Sequence, residues 1–287
     1  DSATTTLGDI SFVTPALSVG WRLPIAVVGV NRTAIFEPQA RLALIGGKDR
    51  TSIIPNRDAS DYRIDEANLF LLNRYQGKDF ILPGTRADIG VSATTNDKFF
   101  GDVSGFLGVS RRLAGKTSAG LNTDQGDKYS DYVASLTVNP ANSLNLRWSG
   151  RLSSKDLTLN ESKTSLSSAL GSGSLSLTHN QLAKAYFASS DDDREELSAS
   201  YSQSLIGGWQ FSATQLWDLS YGKTQRKKST AALNWNGGVQ DCLYITINYE
   251  HDPVADRDVS AVDQLNFVIG FKNLGAISQS AVSALGT

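Results

Sequence analysis

The residues best suited to acid–base chemistry in this sequence are a histidine and three aspartates in one short stretch. His251 and Asp252 are adjacent, and Asp256 and Asp258 follow within the same polar segment. A histidine beside carboxylates is the arrangement of a general base and its orienting partner. The same residues in a charged loop are also typical of a solvated surface, which is the interpretation we favour. The G-x-S-x-G and G-x-x-x-x-G-K-[ST] motifs are absent. We therefore predict no catalytic residue and a protein that is not an enzyme.

Metal ligands are equally sparse. The acidic run Asp191, Asp192 and Asp193 has the oxygen ligands that divalent cations prefer, but such runs are usually only solvated. The chain contains one cysteine, Cys242, and two histidines that lie far apart in sequence. A single cysteine cannot form an internal disulfide. We predict no metal site and no cofactor.

Composition narrows the class of protein. The chain has 287 residues, 40% of them hydrophobic, and a net charge of −2. This charge argues against nucleic acid as a partner. No apolar run approaches the length of about 18 residues that a membrane-spanning helix needs. The sequence contains no methionine and begins at Asp1, which predicts a processed product or a fragment.

An alternation of apolar and polar residues with a period of two indicates the strands that position these residues. In the stretch from Leu243 to Glu250 every second residue is large and apolar, and the residues between are mostly polar. Because successive side chains of a strand point to opposite faces, this pattern predicts a strand with one apolar and one polar face. The apolar face must contact either a second sheet or a lipid bilayer.

The same pattern returns along most of the chain and predicts about thirteen strands. Most reach the roughly 9–11 residues of a tilted membrane strand. The predicted strands cover 14–23, 34–45, 85–94, 99–110, 131–139, 143–152, 157–168, 173–179, 195–205, 209–219, 229–236, 243–250 and 264–272.

The connections between these strands alternate in length. Segments 24–30, 96–97, 139–142, 207–208 and 237–241 are short, whereas 46–84, 114–128, 180–193 and 251–261 are long and polar. Short turns at one end and long loops at the other are typical of outer-membrane barrels. We therefore predict an all-β fold, an antiparallel transmembrane β-barrel.

Three ordered segments resemble a known family. The segments at 54–58, 65–79 and 84–86 resemble a stretch in the middle of the barrel of LptD, the LPS-assembly protein. The segment 36–40 resembles a strand just before it, and 241–244 with 271–275 resemble the family's cysteine-bearing penultimate strand and its closing strand. The motif residues of the central stretch are Asn68, Leu69, Phe70, Asn73, Arg74, Gly77 and Asp79.

The resemblance implies the domain organisation. The family has a barrel of 26 strands and an N-terminal periplasmic jelly roll. Residues 1–275 are then the C-terminal part of the barrel, and 276–287 are a periplasmic C-terminal tail. The strands needed for closure must come from another part of the protein.

The resemblance also implies a function. The family is an integral outer-membrane translocon of Gram-negative bacteria, with its C-terminus in the periplasm. It receives lipopolysaccharide from an LptA-like periplasmic bridge through the N-terminal domain, which is missing here. It inserts the lipopolysaccharide into the outer leaflet through a lateral gate. The implied partners are lipopolysaccharide, an LptE-like plug lipoprotein and membrane lipids.

The family match assigns roles to particular residues. It implies a disulfide from Cys242 to the N-terminal periplasmic domain. The last strand would be one lip of the gate, with residues Gln264, Leu265, Asn266, Phe267, Val268, Ile269, Gly270 and Phe271. The polar residues expected to line the lumen are Glu37, Gln39, Arg41, Arg86, Asp88, Asp102, Asn145, Arg147, Arg151, Asn234, Asn248 and Glu250.

Two alternatives remain open from the sequence. The first is a free-standing porin-like outer-membrane channel of 12–14 strands, which the alternation and the loop lengths also fit. The second is an outer-membrane hydrolase that uses His251 or His179.

Overall fold

Strands account for most of the structure. The computed structural model describes residues 13–30, 32–47, 63–74, 81, 83–97, 101–115, 129–141, 143–183, 193–220, 225–237, 242–253, 262–272 and 275–282. The strands are β1 (Ala16–Arg22), β2 (Ile25–Val28), β3 (Thr33–Ile45), β4 (Gly84–Asp97), β5 (Gly101–Ala114), β6 (Tyr132–Ala141), β7 (Leu144–Leu152), β8 (Leu159–Leu170), β9 (Gly173–Leu182), β10 (Arg194–Ser204), β11 (Trp209–Asp218), β12 (Gln225–Gly237), β13 (Leu243–Asp252), β14 (Val262–Phe271) and β15 (Gly275–Val282).

These strands form one antiparallel sheet in which each strand pairs with the next along the chain. The exception is at the first edge, where β1 and β2 both pair with β3. Pro24 lacks the N–H that a continuous strand would use, so the strand is interrupted there. In the described part of the chain no pairing joins β1 to β15, and the sheet is open.

The sheet has two chemically different faces. Residues directly opposite each other in an antiparallel pair share a face. Ile247 lies between Leu233 and Phe267, and the next pair on that face joins Ile245 to Ile269. We call this the apolar face and the opposite one the polar face. Ile89 on the apolar face is 59% exposed and Phe267 42%. No second sheet covers the apolar face among the described residues.

The two ends of the sheet differ in the length of their connections. At one end the connections are 29–32, 98–100, 142–143, 171–172, 205–208, 238–242 and 272–274. At the other end they are 46–83, 115–131, 153–158, 183–193, 219–224 and 253–261. Every connection of the second set is longer than any of the first. We call these the short-connection end and the long-connection end.

Thirteen of the strands correspond to those predicted from the alternation, with shifted bounds. Asn96 and Asp97, predicted as a turn, belong to β4. Strand β8 begins later than predicted because Leu157 has a φ of 60°, which closes the turn 153–158. In this turn Ser153 and Thr158 donate hydrogen bonds that lower the pKa of Asp156.

Two strands were not predicted. Strand β2 occupies most of the segment 24–30, which was predicted to be a short connection. Residues 275–282 form β15 and pair with β14, with Ile277 opposite Ile269. Strand β14 is therefore not the last strand. Most of β15 lies in the segment 276–287, for which a periplasmic tail stays a prediction. The alternation in β15 is weak because Ile277 is its one large apolar residue before Val282. Residues 283–287 lie outside the described residues.

Among the described residues of the sheet, the buried apolar ones are few and lie on the polar face. Phe106 and Val133 have 7% and 3% of their surface exposed, and both lie on the same face as Asp88. The described residues contain no helix with the length and apolar character needed to cross a membrane. Phe106 and Val133 are buried because a loop segment packs against the sheet at this place.

Candidate functional site

The segment 63–74, here called the strap, lies across the polar face of the central strands. Its shape is fixed locally by Asp65 and Asn68. The Asp65 N–H donates to Asn68 Oδ1 at 2.9 Å, and the Asn68 N–H donates to Asp65 Oδ1 at 2.8 Å. Asp and Asn favour such turns because their short side chains reach nearby backbone groups. The turn points Leu69 at the sheet.

Leu69 is the apolar anchor of the strap and is fully buried. It clusters with Ile64 of the strap and with Phe106 and Val133 of the sheet. Phe70 meets Phe106 edge to face, with ring centroids 6.4 Å apart. This small cluster supplies the hydrophobic part of the attachment.

Two glycines make room for the strap. Gly90 and Gly108 lie directly opposite each other on the polar face. A Cβ added to Gly108 would lie 2.3 Å from Leu69 Cδ2, and one added to Gly90 would lie 3.1 Å from Phe70 Cζ. Any larger residue at Gly108 would force the side chains of Leu69 and Phe106 to shift, since no side-chain atoms approach that closely.

A buried ion pair holds the C-terminal part of the strap. Arg74 Nη2 donates to Asp88 Oδ1, to the Leu69 carbonyl at 2.6 Å and to Ser110 Oγ at 3.0 Å. The Ser110 hydroxyl in turn donates to Asp88 Oδ1 at 2.6 Å. The side chains of Arg74 and Asp88 are 4% and 0% exposed. Removing one partner of such a pair costs about 3–5 kcal/mol because a charge stays buried and uncompensated.

Arg86 joins the same cluster from the neighbouring position on β4. Its Nε lies 3.3 Å from Asp88 Oδ2, and its Nη2 donates to the carbonyls of Leu71 and Leu72, the latter at 3.0 Å. Asp88 therefore faces two guanidinium groups. Arg86 thus binds both the strap backbone and the buried Asp88 carboxylate at this end.

The N-terminal part of the strap is attached by exposed pairs. Glu66 Oε2 accepts from Ser135 Oγ at 2.7 Å and from Arg147 Nη2 at 3.2 Å. Arg63 Nη1 donates to Glu161 Oε1 at 3.3 Å. The side chains of Arg147 and Glu66 are 52% and 42% exposed. Exposed pairs of this kind contribute about 0–1 kcal/mol each. The N-terminal part is thus held by the buried side chain of Ile64 and by exposed pairs, whereas the C-terminal part is held by a buried ion pair.

The register places every predicted lumen residue on the polar face. Most have close partners: Glu37 lies 3.1 Å from Arg22, Arg41 donates to Ser18, and Lys228 donates to Glu250. Of the predicted lumen residues, the strap contacts Arg86, Asp88 and Arg147. The predicted residues on the polar face are Glu37, Gln39, Arg41, Arg86, Asp88, Asp102, Asn145, Arg147, Arg151, Asn234, Asn248 and Glu250. Whether this face lines a lumen stays a prediction.

Five of the seven family-motif residues belong to the strap. Asn68, Leu69, Phe70, Asn73 and Arg74 lie within 63–74, and Gly77 and Asp79 lie outside the described residues. Sequence reasoning did not foresee where the strap attaches. A signal was present, because Phe106 and Val133 interrupt the polar positions of β5 and β6, and Gly90 and Gly108 occupy neighbouring positions on that face.

Cys242 lies at the short-connection end, immediately before β13. It is exposed, and its carbonyl accepts a hydrogen bond from the Lys272 N–H at 2.8 Å. The predicted disulfide to a separate domain is not tested by this structure and stays a prediction.

The residues considered for acid–base chemistry do not converge. His251 Nδ1 lies 3.8 Å from Asp263 Oδ2, and His179 Nε2 lies 2.7 Å from Glu195 Oε1. Both histidines lie on the apolar face. Asp191, Asp192, Asp256 and Asp258 are outside the described residues. Within the described ranges, no group of three His, Cys, Asp or Glu residues could hold a metal ion.

We expect Leu69→Ala to release the strap. Deleting a fully buried leucine side chain costs about 2–5 kcal/mol. Leu71→Ala is the matched control because Leu71 is 51% exposed. Hydrogen exchange of the backbone amides of 63–74 measures the effect, at about tenfold faster exchange per 1.4 kcal/mol. Equal exchange in the two variants would contradict the anchoring role of Leu69.

Comparisons with known proteins identify the family. The family model described as "LptD: LPS transport system D" matches residues 3–200. This range includes the strap and β1 to β9, and it ends within β10. A search of the curated proteins found no match. Because the family model covers more than half of the chain, the chain belongs to the LptD family, whose members are outer-membrane proteins of lipopolysaccharide transport and not enzymes.

Proposed function

We propose that this chain forms part of the wall of an outer-membrane barrel that receives lipopolysaccharide from the periplasm and inserts it into the outer leaflet through a lateral gate. The observation that carries the proposal is the two-faced sheet, whose longer connections all lie at one end. Family membership supplies the cargo.

The apolar face is proposed to contact lipid. Its aliphatic and aromatic side chains are exposed. Contact between water and an apolar surface of this size is energetically unfavourable. In a bilayer every backbone polar group must be paired, which a closed barrel achieves. The two edges of this sheet, at β1 and β15, would pair with further strands of a larger barrel. The family resemblance implies that this barrel has 26 strands.

The polar face is proposed to line the lumen and to meet the sugars and phosphates of the lipopolysaccharide. It carries charges of both signs, such as Arg41, Asp88 and Glu250, which a dry core would not tolerate unpaired. The strap covers this face at the central strands. An LptE-like plug lipoprotein would contact the remaining polar surface, and an LptA-like bridge would deliver lipopolysaccharide through a separate periplasmic domain.

The short-connection end is proposed to be periplasmic, as in other outer-membrane barrels. At this end Trp209 and Trp235 lie side by side, with ring centroids 6.2 Å apart, and Trp235 Nε1 donates to the Gly207 carbonyl at 2.7 Å. Tryptophans with an apolar ring and a satisfied N–H suit a membrane interface. In this orientation β14 ends in the periplasm, whereas β15 returns towards the outer surface. The expected periplasmic location would then hold for the end of β14 and not for the end of β15.

The gate is proposed to lie at the edge formed by β14 and β15. Residues Gln264 to Phe271 were expected to be the outermost strand, and β15 now lies outside them. We therefore assign the lip itself to β15 and the supporting strand to β14.

Substitutions on neighbouring residues of β13 test the assignment of the faces. Ile247→Lys places a charge on the apolar face, at an expected cost of about 2–4 kcal/mol near the membrane midplane. Asn248→Lys, on the polar face opposite Ala232 and Asn266, should be tolerated. The readout is the amount of heat-modifiable protein in isolated outer membranes. Equal loss in both variants would rule out the proposed assignment.

Photo-crosslinking tests transport through the gate. A photoreactive residue replaces Ile277 of β15 or, as the control, Leu146 of β7. Each is the third residue of its strand at the short-connection end, and both lie on the apolar face. Pulse-labelled lipopolysaccharide should crosslink at position 277 within the first minutes and much later at 146. Simultaneous labelling of both positions would exclude a gate at this edge.

Mass spectrometry under non-reducing conditions tests Cys242. We expect a disulfide-linked peptide that joins Cys242 to a cysteine of a separate periplasmic segment, since this sequence has no second cysteine. The Cys242→Ser variant should lack that peptide and leave the partner cysteine open to alkylation. Complete alkylation of Cys242 without reductant would show that the bond does not form.

A further inference from the structure

A cavity of about 570 Å³ lies between the N-terminal part of the strap and strands β6 to β8. Its size is within the range of about 300–1,000 Å³ that is usual for small-molecule sites. Four basic residues line it: Arg63, Arg147, Arg151 and Lys163. Three acidic residues, Asp65, Glu66 and Glu161, also line it. The lining therefore carries one more basic than acidic group.

The acidic groups are already engaged. Asp65 Oδ1 accepts from the Asn68 N–H at 2.8 Å. Glu66 Oε2 accepts from Ser135 and Arg147, and Glu161 Oε1 accepts from Arg63 at 3.3 Å. Glu66 and Glu161 bind the strap to the sheet and use part of the positive charge to do so, whereas Asp65 is engaged within the strap.

Two basic groups of the lining, Arg151 and Lys163, form no ion pair with the described residues of the strap. Arg151 is paired on the sheet, where its Nη2 lies 3.3 Å from Asp131 Oδ2. Lys163 is the other. It lies on the polar face between Ser149 and Asn180, and its side chain is exposed. Among the described residues its ammonium has no hydrogen bond and no ion pair within 4.0 Å. Arg147 is nearby on the adjacent strand and is held by one exposed carboxylate, that of Glu66.

An anion with two negative charges suits this arrangement better than the single Glu66 carboxylate. A phosphate presents three oxygens, so it can accept from the planar guanidinium of Arg147 and from the ammonium of Lys163 at once. Ser135 and Ser149 supply hydroxyls at the cavity wall that can pair with sugar hydroxyls. Val133 supplies an apolar surface at its base.

We propose that this cavity binds a phosphorylated sugar, with the phosphate against Lys163 and Arg147 and in place of the Glu66 carboxylate. The proposal rests on the proposed function, because lipopolysaccharide brings phosphorylated sugars to the polar face. The bound sugar phosphate takes the place of the Glu66 carboxylate at Arg147, while Ile64, Leu69 and the Arg74–Asp88 pair keep the strap attached to the sheet. Free inorganic phosphate shares the anion chemistry but lacks the sugar.

Isothermal titration calorimetry on the full chain, folded in detergent, tests the cavity with three probes. The probes are glucosamine 6-phosphate, glucosamine and inorganic phosphate. We expect glucosamine 6-phosphate to bind at least about tenfold more tightly than either of the others, since a charge-assisted hydrogen bond contributes about one order of magnitude in affinity. Equal binding of inorganic phosphate would overturn the sugar part of the proposal. No binding by glucosamine 6-phosphate would overturn all of it.

Three variants separate the cavity from general electrostatics. Lys163→Gln should weaken binding of glucosamine 6-phosphate about tenfold. Glu66→Gln removes the competing carboxylate and should strengthen binding several-fold, a gain that a misfolded variant cannot show. Lys228→Gln is the matched control, because Lys228 lies on the same face and pairs with Glu250. Equal weakening by Lys228→Gln, or no gain with Glu66→Gln, would contradict the site.

The two proposals can fail independently. Crosslinking of lipopolysaccharide at position 277 without sugar phosphate binding would overturn the cavity and leave the proposed function intact. Sugar phosphate binding with the expected variant effects but no crosslinking at 277 would support the cavity and contradict the gate.

Discussion

The period of two along each strand is the constraint on which the structure depends. It gives most strands one apolar and one polar face, and the cross-strand register keeps like faces together across the sheet. A slip of one residue in a single pair would move apolar side chains such as Ile247 to the charged face. The register is therefore specified strongly, even though the described residues provide no second layer to pack against the apolar face.

The strap shows how charges are accommodated on the polar face. Asp88 has no exposed surface, and it is stabilised there by Arg74, Arg86 and Ser110. Replacing a buried ion-pair cluster with well-packed apolar residues often leaves the free energy of unfolding unchanged or raises it. The cluster instead fixes the position of the strap, because each guanidinium also binds backbone carbonyls of the strap. The strap is thus directed to one place on the sheet.

Much of the fold followed from local patterns, and the gaps have physical reasons. Strands such as β13 were predicted because their apolar residues alternate cleanly. Strand β15 was missed because a single large residue, Ile277, gives no periodicity, and its pairing with Ile269 depends on the β14 register. The strap residues Leu69 and Arg74 were recognised only by resemblance. Their partners Asp88, Phe106 and Gly108 are distant in sequence, and nothing local links them.

The sequence by itself determined that the chain is all-β, that it has two unlike faces, and that its connections differ in length. These are properties of single strands and of the segments between them, so they can be read one element at a time. Only the tertiary structure decided that 63–74 folds back onto β4 to β8, that Lys163 has no ion-pair partner among the described residues, and that β15 forms the edge of the described sheet. Each of these depends on contacts between residues far apart along the chain, whose closeness is fixed by the whole sheet.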